Sequence, residues 1–207
     1  MALKIYGIGA SRAARPLWLL EELGVPYEHV SQTYVGGATR TPEFLALNPN
    51  GHIPVLDDDG IIVWESMATT LYLARKFGGP LAPANLAEEA EVLRWTFWVV
   101  TECEKDALTV LMHRVAMPAD KRDAAQAEQA EKRLAVPFAV LNAHLAKRPY
   151  IAGDRFTVAD VNVASVLTWT QASRALMEQF PQVADWLKRC LDRPAQQKVR
   201  QLAKAGR

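Results

Sequence analysis

Residues 78–85, Gly-Gly-Pro-Leu-Ala-Pro-Ala-Asn, cannot continue a helix, and the chain changes character across them. Glycine leaves the backbone too free, while proline lacks the N–H that a helix needs and collides with the preceding turn. Before this break, short β-like runs alternate with helical ones; from Ala87 onward the sequence is long, alanine-rich and helix-periodic. With 207 residues, half of them hydrophobic, there is enough apolar surface for two small cores. The expected organisation is one domain over residues 1–79, a linker over 80–86 and an all-helical domain over 87–207.

In the first part, 3–6 reads as a buried strand, 16–23 as a helix stopped by Gly24, and 27–32 as a second strand. Ile53 to Asp57 and Ile61 to Trp64 are two apolar runs flanking Asp58-Asp59-Gly60, a composition suited to a tight hairpin. Ser66 to Phe77 follows as a helix. The order βαβ, then a connecting helical segment, then ββα, predicts an α/β thioredoxin-like domain with a mixed four-stranded sheet. In the second part the periodicity predicts an all-α bundle of five helices, over 86–116, 119–145, a buried run after Thr157, 181–192 and 195–205. Thr157-Val158-Ala159-Asp160 has the form of a reciprocal N-terminal cap.

Charge excludes several partners. The 24 Lys plus Arg against 23 Asp plus Glu leave no basic footprint for nucleic acid or an anionic membrane. No apolar run approaches the roughly 18 residues of a membrane span, and the first residues lack the apolar stretch of about 7 to 15 that marks a secretion signal. Cys103 and Cys190 are far apart and form no CxxC pair, so a reducing, cytoplasmic setting is expected. His29, His113 and His144 lack metal-ligand spacing, and Asp57-Asp58-Asp59 fits a turn better than a calcium loop, so no metal is expected.

Three short segments carry the candidate chemistry. Ile53-Pro54 is, on local grounds, an ordinary strand start, since only about 5% of X-Pro bonds are cis. Just before an antiparallel hairpin in this βαβ context, a cis bond is expected, with the Ile53 backbone turned out to pair with an extended peptide. Glu65-Ser66 reads either as a plain helix cap or as a head-group site, in which helix N–H groups and the Ser66 hydroxyl take a carboxylate while Glu65 takes an ammonium. Ser11 is a cap-region serine or the donor to a bound thiolate. A hydrogen bond to a charged group contributes about 1.5 to 3 kcal/mol. At about 1.36 kcal/mol per pH unit, that lowers a thiol pKa of about 8.5 by roughly one to two units. With no His or Asp beside Ser11, the nucleophile belongs to the ligand. Tyr6 is a rival hydroxyl, Arg12 adds positive potential, and His52 is either a solvated loop residue or a contact for a ligand carboxylate. Trp95, Trp98 or Trp169 are the candidates to line an apolar second-substrate pocket, with Trp98 and Trp169 taken as the pair.

Ser11-Arg12-Ala13-Ala14-Arg15-Pro16-Leu17-Trp18-Leu19-Leu20-Glu21-Glu22-Leu23-Gly24, Asn48-Pro49-x-Gly51-x-Ile53-Pro54-Val55, Glu65-Ser66 and Thr157-x-x-Asp160 together resemble the cytosolic glutathione S-transferases over essentially the whole length. The opening motif looks like the bacterial and fungal branch that includes the yeast glutathione transferase I type. The resemblance implies a thioredoxin-like glutathione-binding domain, a helical domain and a homodimer. It also implies attack of the glutathione thiolate on a small hydrophobic electrophile, with peroxide reduction as a variant of the same chemistry. By position, Ser11 activates the thiol; Arg12, His52, Ile53, Pro54, Glu65 and Ser66 join it in binding glutathione; Thr157 and Asp160 form a folding cap. The absence of a cysteine near the first helix argues against disulfide exchange. The alternative is a non-catalytic interaction or ligand-carrier module of the same family.

Overall fold

The computed structural model describes residues 3–205. The reading of the N-terminus lies partly outside that range, on Met1 and Ala2, as does the end of the expected helical domain, at Gly206 and Arg207.

The chain opens with β1 (Leu3–Tyr6), whose alternating Leu3 and Ile5 are buried, followed by α1 (Ala14–Leu23) and β2 (Glu28–Val30). Helix α1 starts two residues ahead of expectation. Pro16 falls in its first turn, where a missing N–H costs nothing. A short α2 (Pro42–Leu47) is capped by Thr41, whose Oγ1 accepts from the Phe44 N–H at 3.3 Å. Then come β3 (Val55–Asp58), β4 (Ile61–Trp64) and α3 (Ser66–Phe77). The sheet order is β2-β1-β3-β4, with β1 and β2 parallel and the other pairs antiparallel, so the thioredoxin-like arrangement is present. The hairpin register pairs Val55 with Trp64, and Asp57 holds the turn by accepting the Gly60 N–H at 2.8 Å. Strand β3 begins at Val55 rather than Ile53, which leaves Ile53 and Pro54 in the preceding loop.

The helical unit spans residues 83–192. Helix α4 (Leu86–Trp98) is capped by Asn85, whose Oδ1 accepts the Glu88 N–H at 3.0 Å, and Glu88 in turn accepts the N–H of the preceding Ala84 at 2.8 Å. The helix expected over 86–116 is interrupted. A π segment at Val99–Cys103 precedes α5 (Glu104–Leu111), and a second follows at Met112–Ala116. Each inserts extra residues per turn and so shifts the buried face, something a hydrophobic pattern does not announce. Helix α6 (Ala124–Leu145) starts later than expected because Asp123 caps it, accepting the N–H groups of Ala125 and Gln126 at 2.9 and 3.2 Å. Helix α7 (Val158–Leu167) is buried along all ten residues and carries the expected Thr157/Asp160 cap. Helices α8 (Arg174–Gln179) and α9 (Pro181–Leu191) complete this unit; α8 was not expected.

The last helix, α10 (Pro194–Ala205), corrects the expected domain boundary. It belongs to the first compact unit, with residues up to Ala82, and packs on α1. Arg193 grips Glu22 through two bonds of 2.6 and 2.7 Å, and Lys198 reaches Glu21 at 3.1 Å. The α1 motif Glu21-Glu22 thus receives cations from a segment some 170 residues away in sequence. No described helix is long and apolar enough to cross a membrane.

Candidate active site

Ala13 at the start of α1 and Ile53 crowd together around Gly7 in the β1–α1 loop. Gly7 has φ +149°, and a Cβ built on it would lie 2.5 Å from the Ala13 Cβ and 3.6 Å from the Ile53 Cβ. The end of β1, the start of α1 and the loop before β3 therefore touch at one point. A side chain at residue 7 would force them apart.

The Ile53-Pro54 bond is cis, as expected. Its loop is organised by Asn48, only 2% exposed. The Asn48 amide donates to the His52 carbonyl at 2.7 Å, its Oδ1 accepts the Asn50 N–H at 3.0 Å, and its own carbonyl accepts the Gly51 N–H at 2.8 Å. One buried amide thus sets the path of four residues leading to Ile53. Pro54 is buried, Ile53 half-buried, and the His52 side chain is exposed.

Ser11 lies in the loop just before α1 and is half-buried. Its hydroxyl donates to the Ile8 carbonyl at 2.7 Å and accepts the Ala13 N–H at 3.1 Å. The expected donation to a thiolate is therefore not ready-made, because the single hydroxyl proton serves the loop. Rotation about the Cβ–Oγ bond redirects that proton and leaves the Ala13 bond intact. Arg12 is exposed, and Tyr6 is half-buried inside β1.

Glu65 and Ser66 sit at the start of α3, as expected. Glu65 adopts φ +69° and ψ +115°, a conformation that costs an L-residue of order 1–3 kcal/mol. The first turn holds it: the Glu65 carbonyl accepts both the Thr69 N–H at 2.9 Å and the Thr69 hydroxyl at 3.0 Å. This geometry leaves the Glu65 side chain exposed beside the helix start. No side chain caps α3, so its first N–H groups and its positive dipole end are available to an anion. Ser66 is 4% exposed and accepts from Arg15 Nη1 at 3.0 Å. Arg15, 3% exposed on α1, is a residue that the sequence reading passed over in favour of its neighbour Arg12. Asn48 and Thr69 were missed as well. Their only sequence signals are the Asn-Pro-x-Gly pattern and a threonine one turn after Glu65.

In the helical unit, a cavity of about 450 Å³ is lined by Trp98 together with Trp95, Val140 and His144. Trp95 and Trp98 meet edge to face at 4.8 Å, and the His144 ring lies 4.5 Å from Trp95. Burial holds the His144 pKa below its ordinary value. Trp169 is not among the lining residues, so the two tryptophans expected to share a second-substrate pocket do not share this cavity. Trp169 sits in the short helical turn Thr168–Thr170. Among the described residues, no group of His, Cys, Asp and Glu is arranged to hold a metal ion.

A mixed thioredoxin-like sheet, a cis-proline loop and a helix start with no side-chain cap are followed in the chain by an all-helical unit. Residues 1–75 match the family model for the glutathione S-transferase N-terminal domain, and residues 105–194 match that for the C-terminal domain. Glutathione S-transferase GstB of Escherichia coli is 33% identical, with 92% of this chain and 93% of that protein covered. Glutathione S-transferase 3 of Zea mays is 35% identical, covering 95% of this chain and 92% of the relative. The glutathione-bound theta-class transferase of Xanthomonas axonopodis pv. citri superposes with a TM-score of 0.87 at 33% identity, covering 95% and 96% of the two chains. The chain belongs to the glutathione S-transferase family.

Proposed function

We propose that this protein is a transferase that binds glutathione in its α/β unit and directs the thiolate at a small hydrophobic electrophile. The observation that carries this reading is the convergence of the site segments: the Ser11 loop and Ile53 meet around Gly7, and Arg15 ties the same helix to Ser66. In this reading the extended peptide pairs with the Ile53 backbone ahead of Pro54, while Glu65 takes the γ-glutamyl ammonium. Ser66 and the first N–H groups of α3 take the adjoining carboxylate. His52 and Arg12 contribute at the loop edges. Ser11 turns its proton from Ile8 to the sulfur, which stabilises the thiolate; the thiolate then forms a carbon–sulfur bond as the electrophile's leaving group departs. In the peroxidase variant the same thiolate attacks the peroxide O–O bond, releasing an alcohol or water and leaving a sulfenic acid, which a second glutathione converts to the disulfide with loss of water. Trp98 borders the second-substrate region, with Trp169 a further candidate for it.

The protein is proposed to be cytoplasmic and to form a homodimer. Leu93, Phe97 and Val100 expose apolar side chains at helical spacing along α4 and its continuation, and Val136 does so on α6, a combination that suits an interface with a second copy. The Ser11-Arg12-Ala13-Ala14-Arg15 opening supports placement in the bacterial and fungal branch. Retention of every candidate ligand residue favours the enzyme over a non-catalytic carrier.

Calorimetric titration with glutathione tests the reading. Saturable binding is expected in the unsubstituted protein, weakened about tenfold or more in Ser66→Ala and Glu65→Ala, the scale of a lost hydrogen bond to a charged group. No heat of binding in the unsubstituted protein, or indifference to both substitutions, rejects the site.

A further inference from the structure

Arg15 makes its bond to Ser66 from inside the α/β unit, 51 residues away in sequence and on a different helix. A guanidinium carries donors only and stays protonated, so in this pair the Ser66 oxygen must accept. A hydroxyl has one hydrogen, and among the described residues Ser66 gives it to no other group. The bond from Arg15 thus occupies an acceptor lone pair and turns the Ser66 O–H into a dedicated outward donor. A charged donor on its oxygen makes the hydroxyl a stronger donor in turn.

From these contacts we infer that Arg15 is a positioning residue. It fixes the Ser66 hydroxyl as a donor to the α-carboxylate of the γ-glutamyl head and makes the site select for a full negative charge there. The inference rests on the glutathione reading above and goes beyond it by naming what sets the head-group preference. Arg15 itself, buried beneath Ser66, acts through that hydroxyl.

The test compares two peptides: glutathione, and the analogue 4-aminobutyryl-cysteinyl-glycine, which lacks only the α-carboxylate of the γ-glutamyl group. Affinities are measured calorimetrically for the unsubstituted protein, Arg15→Met, Arg15→Lys, Ser66→Ala and the Arg15→Met/Ser66→Ala pair. Arg15→Met is expected to weaken glutathione about tenfold to a hundredfold, the range for one charge-assisted hydrogen bond, while leaving affinity for the analogue within about twofold. Arg15→Lys should restore part of the loss. In the Ser66→Ala background, Arg15→Met should have little further effect, because the two changes interrupt one interaction. In turnover, the KM for glutathione should rise by a larger factor than the KM for the electrophile. Should Arg15→Met fail to fold, Arg15→Lys with and without Ser66→Ala completes the same cycle. Equal losses for both peptides, or additive losses in the double variant, overturn the positioning role alone. Failure of the unsubstituted protein to bind glutathione overturns the parent reading, and this inference with it.

Discussion

Trp186 donates its indole N–H to Asp160 Oδ1 at 2.9 Å, deep in the helical unit, where Asp160 has no exposed surface. The same oxygen accepts the Ile151 N–H at 3.0 Å, while Oδ2 accepts the Thr157 N–H at 2.9 Å and the Thr157 hydroxyl at 3.3 Å. One carboxyl therefore serves the cap of α7, the preceding loop and a tryptophan of α9. This connection explains how a short sequence motif can organise the unit. It is costly to charge: burial, opposed by all four donors, pushes the Asp160 pKa from 3.8 up to about 6.

That shift predicts an unusual pH dependence. A carboxyl whose folded pKa is raised binds a proton in the native state that the unfolded chain has already released. Its contribution is therefore fully present below pH 3.8 and is lost as pH rises through about 6. The shift corresponds to about 3 kcal/mol at about 1.36 kcal/mol per pH unit. In urea titrations between pH 4 and 7, the stability advantage of the unsubstituted protein over Asp160→Asn should shrink as pH rises. Asp160→Asn should be the less stable throughout, because an amide serves fewer of the four donors. An advantage that is constant across this window contradicts the assignment.

Ser11→Ala should raise the pKa of bound glutathione, read from thiolate absorbance, by roughly one to two pH units, the effect of one hydrogen bond to a charged group. The change also removes the acceptor of the Ala13 N–H and the donor to Ile8, which predicts a modest loss of stability of about 1 kcal/mol. A superimposable thiolate titration in the two proteins removes Ser11 from the chemistry and leaves it as a loop residue.

Gly9 brings the β1–α1 loop against the backbone of α10. A Cβ there would fall 2.8 Å from the Ala203 nitrogen, 3.0 Å from its Cα and 3.1 Å from the Leu202 carbonyl carbon. These are backbone atoms, so no side-chain rotation relieves the collision. Gly9→Ala should destabilise the protein by about 1–3 kcal/mol, the usual cost of overpacking, and should expose α10 to limited proteolysis. Ala203→Gly, which removes only a side chain, should not rescue it. Unchanged melting and unchanged cleavage of the last helix count against this packing.

The local signals in the chain were strong where structure is decided within a few residues. Ile61–Trp64 and Ser66–Phe77 have the expected bounds, and the Thr157/Asp160 cap forms as its spacing requires, because alternation, periodicity and capping are short-range effects. The same is true of Ser11 and Glu65-Ser66, each of which lies in the loop or helix start assigned to it, whereas Ile53-Pro54 falls in the loop ahead of the strand expected to begin there. The π segments on either side of α5 were not legible, since the extra residue in a turn is selected by what the helix packs against.

Composition, periodicity and motif order by themselves determined a thioredoxin-like α/β unit, an all-helical continuation and the segments that carry the candidate chemistry. Tertiary structure alone decided that α10 returns to α1, where Arg193 and Lys198 meet Glu22 and Glu21. It also decided that Asn48 shapes the loop before Ile53, and that Arg15 rather than Arg12 stands behind Ser66. The physical reason is the same in each case. A periodic pattern reports which face of an element is buried, but the partner of a buried charge or amide is chosen by three-dimensional proximity between residues that the sequence keeps far apart.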